Sequence, residues 1–273
     1  MLNFLTNIFD KKKKEFQEYG FREINLRFRD EGEIQFAQWL HPGEMYYEIK
    51  QEHIDFFKKY INRGDFVIDI GANQGDTTVP MALASGAEGT TLGLEPNPNS
   101  FKVLAENSKL NKTKTNVVPL NFAATNEDGT FTFGSGDPSF GNGGIVGFTF
   151  NRKRNTRYTF EVTGKNLQNY LSENYSHILP RLTFIKIDTE GYDKEIIKSI
   201  EGIITQYRPY LVAECFGPSL DKEKYELYDV MASKNYTLYY LDDFDIEKKE
   251  KLSREEVIGK KTFNILAIPK ERE

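Results

Sequence analysis

The sequence predicts an α/β fold built on an open parallel sheet, and three observations carry that expectation. From Asp65 onward, short apolar runs alternate with helical segments, the pattern of β-α-β units. LTFIKID, residues 182–188, is almost continuously apolar, as a strand covered on both faces must be. VIDIGANQGD, residues 67–76, runs a strand into a carboxylate and a glycine turn, at the end of the strand where such sheets place their ligands. At 273 residues the chain suits one large domain with decorations, and 38% hydrophobic and 14% aromatic residues supply its core.

Residues 1–60 read as a helical N-terminal extension, with a strand-like stretch at Glu23 to Arg29 and helical spacing of Ile49, Ile54, Phe57 and Ile61. Residues 61–273 then form the ligand-binding domain. Its expected strands are Phe66–Ile70, Gly89–Leu94, Val117–Phe122, Leu182–Asp188, Leu211–Cys215, Thr237–Leu241 and Phe263–Ile268. Helices are expected near Thr77–Ala84, Ser100–Leu110, Tyr192–Ile204 and Lys222–Lys234. The third of these carries Ile196, Ile197, Ile200, Ile203 and Ile204 on one stripe. An insertion at about 134–160 interrupts the alternation. Six glycines in the 14 residues from Gly134 to Gly147 argue against regular structure, and the following FNRKRNTRYTFEV reads as a hairpin with a basic tip at Arg152, Lys153, Arg154 and Arg157.

The net charge of −5 offers no general attraction to nucleic acid. A single cysteine, Cys215, excludes a disulfide within the chain and a cysteine-built zinc site, and it suits a reducing, cytoplasmic compartment. His41, His53 and His177 are scattered rather than spaced as metal ligands. MLNFLTNIFDKKKK, residues 1–14, is too short to span a bilayer and has its basic residues on the wrong side for a secretory signal. It suits either a frayed terminal helix or peripheral contact with a membrane surface or partner.

Within the opening motif, Asp69 ends the strand, Gly71 allows a tight turn, Gly75 permits close approach, and Asp76 is a candidate helix cap. Twenty residues after Gly75 comes Glu95, again at a strand end, where an acid can accept both hydroxyls of a ribose. A dinucleotide site would read G-x-G-x-x-G. Here a carboxylate precedes Gly71, which repels a pyrophosphate and suits a cationic amino-acid group, pointing to S-adenosylmethionine rather than NAD. The same glycines also fit a purely structural strand–turn–helix.

FVIDIGANQGD, GLEPNPNSFKVLAEN, PLNFAATNEDGTFTF and above all FIKIDTEGYDKEIIKSIEG resemble, in order and spacing, the FkbM-type S-adenosylmethionine-dependent methyltransferases over roughly residues 45–270. The resemblance implies the class I methyltransferase fold: a Rossmann-like, doubly wound sheet of seven mostly parallel strands with an antiparallel last strand, Phe263–Ile268. It implies O-methylation of a small molecule, most often a sugar or glycan component. It also implies that Asp69, Gly71, Ala72, Asn73 and Gly75 surround the methionine part of the cofactor. Glu95 then takes the ribose, with Pro96 and Asn97 beside it, Phe122 and Ala123 lie near the adenine, and Asp188 faces the sulfonium and the acceptor.

Methylating an alcohol requires alignment and a base. Asp188 and Glu190, at the end of the fourth strand, and Glu214, on the fifth, are the catalytic candidates; Glu190 and Asp193 equally suit a helix N-terminus. These carboxylates leave Mg²⁺ open, but no spacing demands it. An NAD-linked or sugar-nucleotide enzyme and a non-catalytic docking module remain as alternatives. The first lacks the glycine register and a Tyr-x-x-x-Lys pair.

Overall fold

In the computed structural model, which describes residues 15–44, 48–139, 143–147, 157–245 and 249–273, the chain enters through a hairpin, β1 (Phe21–Phe28) and β2 (Gly32–Trp39), followed by α1 (Gln51–Tyr60). Next come β3 (Phe66–Ile70), α2 (Thr78–Ser85), β4 (Thr90–Leu94), α3 (Pro98–Asn107) and β5 (Val117–Leu120). A small second sheet is built from β6 (Ala123–Thr125), β7 (Gly129–Ser135), β8 (Gly143–Ile145) and β9 (Tyr158–Asn166). The main sheet resumes after α4 (Leu167–Asn174) with β10 (Leu182–Ile187), α5 (Asp193–Ser199), α6 (Glu201–Tyr207), β11 (Tyr210–Cys215), α7 (Asp221–Ala232), β12 (Tyr236–Leu241), β13 (Glu250–Lys251) and β14 (Phe263–Pro269).

The main sheet has the order β13-β12-β14-β11-β10-β3-β4-β5. The strands from β11 to β5 pair in parallel, and β14 runs antiparallel between β11 and β12. The expected antiparallel last strand is therefore present, and the two-residue β13 adds an eighth at the edge. Strand order reverses between β3 and β10, which opens a crevice at their carboxyl ends.

Both faces of the sheet are covered, which explains the unbroken apolar runs. Ile68, Ile70, Ile185 and Ile187 face the stripe Ile196, Ile197, Ile200, Ile203 and Ile204, none of them more than 3% exposed. On the other face Val67, Phe184, Val212 and Leu266 meet Phe56, Phe57 and Met81 from α1 and α2. Phe57 packs edge-on against Phe184 at 5.5 Å, a contact worth roughly 0.5–1.5 kcal/mol beyond its buried area.

Four expectations need correction. Residues 21–39 of the expected helical extension form an antiparallel hairpin, because Ile24, Leu26 and Phe28 alternate with exposed polar residues and Gly32 turns the chain at φ +69°. The hairpin and α1 also share a core with α2 through Phe28, Ile34, Phe36, Ile54, Val79 and Leu83. The helix expected over Tyr192–Ile204 is two helices, broken at Ile200; the Gly202 amide, in the first turn of α6, donates to Gln168 of α4 at 2.9 Å. The third strand stops at Leu120, since the Asn121 side chain turns to donate to the Glu95 carbonyl at 2.8 Å. Part of the glycine-rich stretch is strand: Gly134 and Ser135 in β7 pair with Gly144 and Gly143 in β8. Glycine is what permits this, since a β-carbon on Gly143 would lie 2.3 Å from the Gly134 carbonyl oxygen.

Of the expected basic hairpin only the part from Arg157 on is described, and it leads into β9, which pairs antiparallel with β7. Arg152, Lys153 and Arg154 at its tip lie outside the described residues, as do the expected terminal helix over 1–14 and its membrane contact. Among the described residues, no helix is long and apolar enough to cross a membrane.

Candidate active site

The glycine turn closes over the tips of three strands. Gly71 and Ala72 donate their amides to the Leu94 carbonyl at 3.0 and 2.9 Å, and the Asp188 amide donates to the Ile70 carbonyl at 2.9 Å. At φ +80°, a β-carbon on Gly71 would sit 1.8 Å from the Asp188 carbonyl oxygen, so only glycine lets β10 approach. Gly75, at φ +100°, serves packing instead: its β-carbon would fall 3.1 Å from Leu104 of α3.

Above this turn lies a cavity of about 300 Å³. Of the expected residues it brings together Gly71, Asn73, Glu95, Pro96, Phe122, Ala123, Asp188, Glu190 and Glu214. Asp69, Ala72, Gly75 and Asn97 are not part of its lining. Ala72 and Gly75 are buried within the turn. Asn97 caps α3 by accepting from the Asn99 amide at 2.9 Å, and its own amide donates to Glu95 Oε1 at 2.7 Å, so it positions Glu95 from behind.

Asp69 is a correction with a clear cause. Successive side chains on a strand alternate in direction, and Asp69 points to the α1–α2 side of β3 with Val67. There Thr78 Oγ1 donates to its Oδ2 at 2.6 Å and the Lys186 ammonium lies 3.2 Å from its Oδ1. Lys186, directly opposite in the β3–β10 register, also reaches Asp188 Oδ2 at 3.4 Å. Burial opposes its charge, but Asp69, Asp188 and Asp76 outweigh that and raise its pKa. Asp76 is likewise not the helix cap; α2 begins after Thr77, and burial and Glu44 push the Asp76 carboxyl up to about 7.

Glu95 is 5% exposed and accepts from the amides of Asn73 at 2.9 Å and Asn97 at 2.7 Å. Burial lifts its pKa to about 7 although these hydrogen bonds favour the ionised form. At the other end of the cavity the acids crowd together. Burial, Asp188 and Asp193 raise Glu190 to about 8, and burial with Asp188, Glu190 and Asp193 drives Glu214 well above the usual carboxylate range. Glu190 holds φ +56°, a left-handed conformation rare for a side chain of its size. Glu214 Oε2 is buried without a hydrogen-bond partner among the described residues. Asp193 is fully engaged in holding the turn, accepting from Thr189 Oγ1 at 3.0 Å and from the amides of Gly191 and Glu214 at 3.3 and 3.1 Å.

Two parts of the lining were not among the site residues named from the sequence. Phe133, Gly143, Gly144 and Ile145 bring the β7–β8 edge of the insertion in as one wall. Glu44 arrives from the loop after the hairpin, where His-Pro-Gly-Glu is a turn signal but says nothing about which crevice it reaches. Among the described residues, no group of three or more His, Cys, Asp or Glu is arranged to hold a metal ion.

The profile of the methyltransferase FkbM domain matches residues 69–238, more than half of the chain. This chain belongs to the FkbM methyltransferase family. Its α/β domain is an S-adenosylmethionine-dependent methyltransferase domain. No curated protein matches its sequence. Among solved structures, it is similar to the methyltransferase FkbM from Methylobacillus flagellatus KT, with 14% identity and a TM-score of 0.45 over 74% of this chain; it spans only 43% of that chain's length. It is also similar to Aeropyrum pernix fibrillarin solved with natively bound S-adenosyl-L-methionine (12% identity, TM-score 0.45, 93% of this chain and 99% of that one). A third is the precorrin-6y C5,15-methyltransferase of Geobacter metallireducens GS-15 (13% identity, TM-score 0.42, 80% and 86%).

The FkbM-family site fits its cofactor chemically. Among the described residues, its lining contains several carboxylates and no Lys or Arg, and acceptor oxygens on Asn73 and Glu214 are buried without a partner and await donors. A sulfonium compound carrying hydroxyls and an ammonium group supplies those donors and that charge.

Proposed function

We propose that this protein transfers the methyl group of S-adenosylmethionine to a hydroxyl of a small molecule, a sugar or glycan component in particular. The observation that supports this most is the shared cavity, which joins a ribose-type acid, Glu95, to the carboxylates Asp188, Glu190 and Glu214. The cofactor supplies an electrophilic methyl carbon. Glu95 accepts the ribose hydroxyls, while Phe122 and Ala123 offer the adenine an apolar contact. Asp188, oriented by Lys186, positions the acceptor hydroxyl for in-line approach. Positioning of this kind supplies effective molarities of about 10⁵–10⁸ M. Glu190, whose carboxyl burial and Asp188 push up to about 8, takes up the hydroxyl proton in its ionised form as the C–O bond forms and the methyl's C–S bond breaks, and Glu214 holds the neighbouring acceptor hydroxyl.

Calorimetry with S-adenosylhomocysteine and NAD, followed by labelled methyl transfer to an array of glycans and secondary metabolites, tests the proposal. Binding of S-adenosylhomocysteine alone and O-methylated product are expected. Asp188→Asn should lower kcat by about 10²–10⁴-fold while S-adenosylhomocysteine still binds. NAD binding instead would indicate an oxidoreductase, and binding of neither ligand a docking module.

A further inference from the structure

The acid expected to meet the cofactor's ammonium group, Asp69, is buried on the far side of β3, outside the cavity lining, with Oδ2 accepting from Thr78 and Oδ1 ion-paired with Lys186. The amino-acid end of the ligand therefore needs another anion. We propose that Glu44 and Asn73 form the subsite for that ammonium group, with the N-terminal segment completing a cofactor site whose family match begins only at Asp69. This rests on S-adenosylmethionine being the ligand of the cavity.

Glu44 lines the same cavity as the glycine turn. Its Oε1 accepts from Asn73 Nδ2 at 3.1 Å and its Oε2 from Gln74 Nε2 at 3.0 Å. The other half of the Asn73 amide, Oδ1, is buried and has no partner among the described residues. A carboxylate and an orphaned amide oxygen thus adjoin one another, both acceptors, with no cationic side chain on the lining among the described residues. Burial pushes the Glu44 carboxyl up despite its two hydrogen bonds, the behaviour of an anion whose counter-charge has yet to arrive. A primary ammonium brings three donors and a positive charge in one small group; a carboxylate would be repelled.

The arrangement is held before any ligand arrives. Gly43 donates its amide to His41 Nδ1 at 3.0 Å and Glu44 donates to the His41 carbonyl at 2.9 Å. The His41 ring packs against Tyr19 and Trp39 at 4.7 and 5.2 Å. Gln74 in turn accepts from the Trp39 amide at 2.9 Å, so the hairpin braces the acid from both sides.

The test compares three ligands by calorimetry on the full chain and on Glu44→Gln: S-adenosylhomocysteine, its deaminated analogue, and 5′-methylthioadenosine, which lacks the amino-acid end. Glu44→Gln should bind S-adenosylhomocysteine about 10–100-fold more weakly, the scale of one charge-assisted contact. The other two should bind variant and wild type alike within about twofold. Should the variant fold poorly, the wild type decides alone: the deaminated analogue should bind it about 10–100-fold more weakly than S-adenosylhomocysteine. Equal affinity of the wild type for those two, or an equal loss for all three ligands in a folded variant, overturns the subsite. Failure of the wild type to bind any of them overturns the cofactor assignment itself, along with the subsite.

Discussion

Lys186 lies 3% exposed within reach of Asp69 and Asp188, a charge that the sheet interior tolerates only because its partners are there. Replacing it with methionine keeps much of the volume but strands the Asp69 carboxylate with Thr78 as its one remaining donor. Lys186→Met should cost about 3–5 kcal/mol in chemical denaturation, and Asp69→Asn added to it should recover a good part. A loss below about 1 kcal/mol would mean that the pair is not holding the floor of the cavity. This pair also marks where sequence reading stops at this scale. The stretches VIDI and FIKID state that Asp69, Lys186 and Asp188 lie at strand ends. Only the parallel register sets Lys186 opposite Asp69 and turns that acid away from the crevice. Glu95 was legible because its distance from the glycine turn is set by one βαβ unit, whereas Glu44 was not, since a loop reaches the cavity by a path that no periodicity encodes.

Among the elements, those with strong periodic patterns were legible and those defined by a partner were not. The isoleucine stripe announced its helix, but nothing in it marked the break at Ile200, just before Gly202 donates its amide to Gln168 of a distant helix. The hairpin was read as one strand because β2, GEIQFAQW, buries four consecutive residues at its end and so loses its alternation. Its attachment rests heavily on one side chain. Asn107 of α3 accepts from the Ala37 amide at 2.7 Å and donates to the carbonyls of Ala37 at 2.9 Å and Gln74 at 2.8 Å, joining the hairpin, the helix and the turn. Asn107→Ala leaves those buried groups unsatisfied, and a loss of about 1–3 kcal/mol is expected. Hydrogen exchange should show Ala37 losing protection while β3 and β10 keep theirs. Unchanged protection at Ala37 would refute the anchoring role.

For the molecule as a whole, the crowding of acids around one cavity couples ligand, protons and stability. Unfolded, these carboxyls titrate near 4. Folded, burial and mutual repulsion raise Asp76, Glu95 and Asp193 to about 7 and Glu190 to about 8. Between those values the folded protein binds more protons than the unfolded chain, so stability must fall as pH rises through the window. Thermal melts of the free protein should therefore show Tm decreasing from pH 5.5 to pH 8.5. The cation reverses the balance. A sulfonium and an ammonium entering this cavity favour the ionised carboxylates, so protons leave as the ligand binds. Titrations of S-adenosylmethionine near pH 7, in buffers of different ionisation enthalpy, should report net proton release, and affinity should tighten as pH rises from 6 to 8. Proton uptake, or a Tm that climbs across the same range, would show that these acids are already ionised in the free protein and that the cavity is not waiting for a cation.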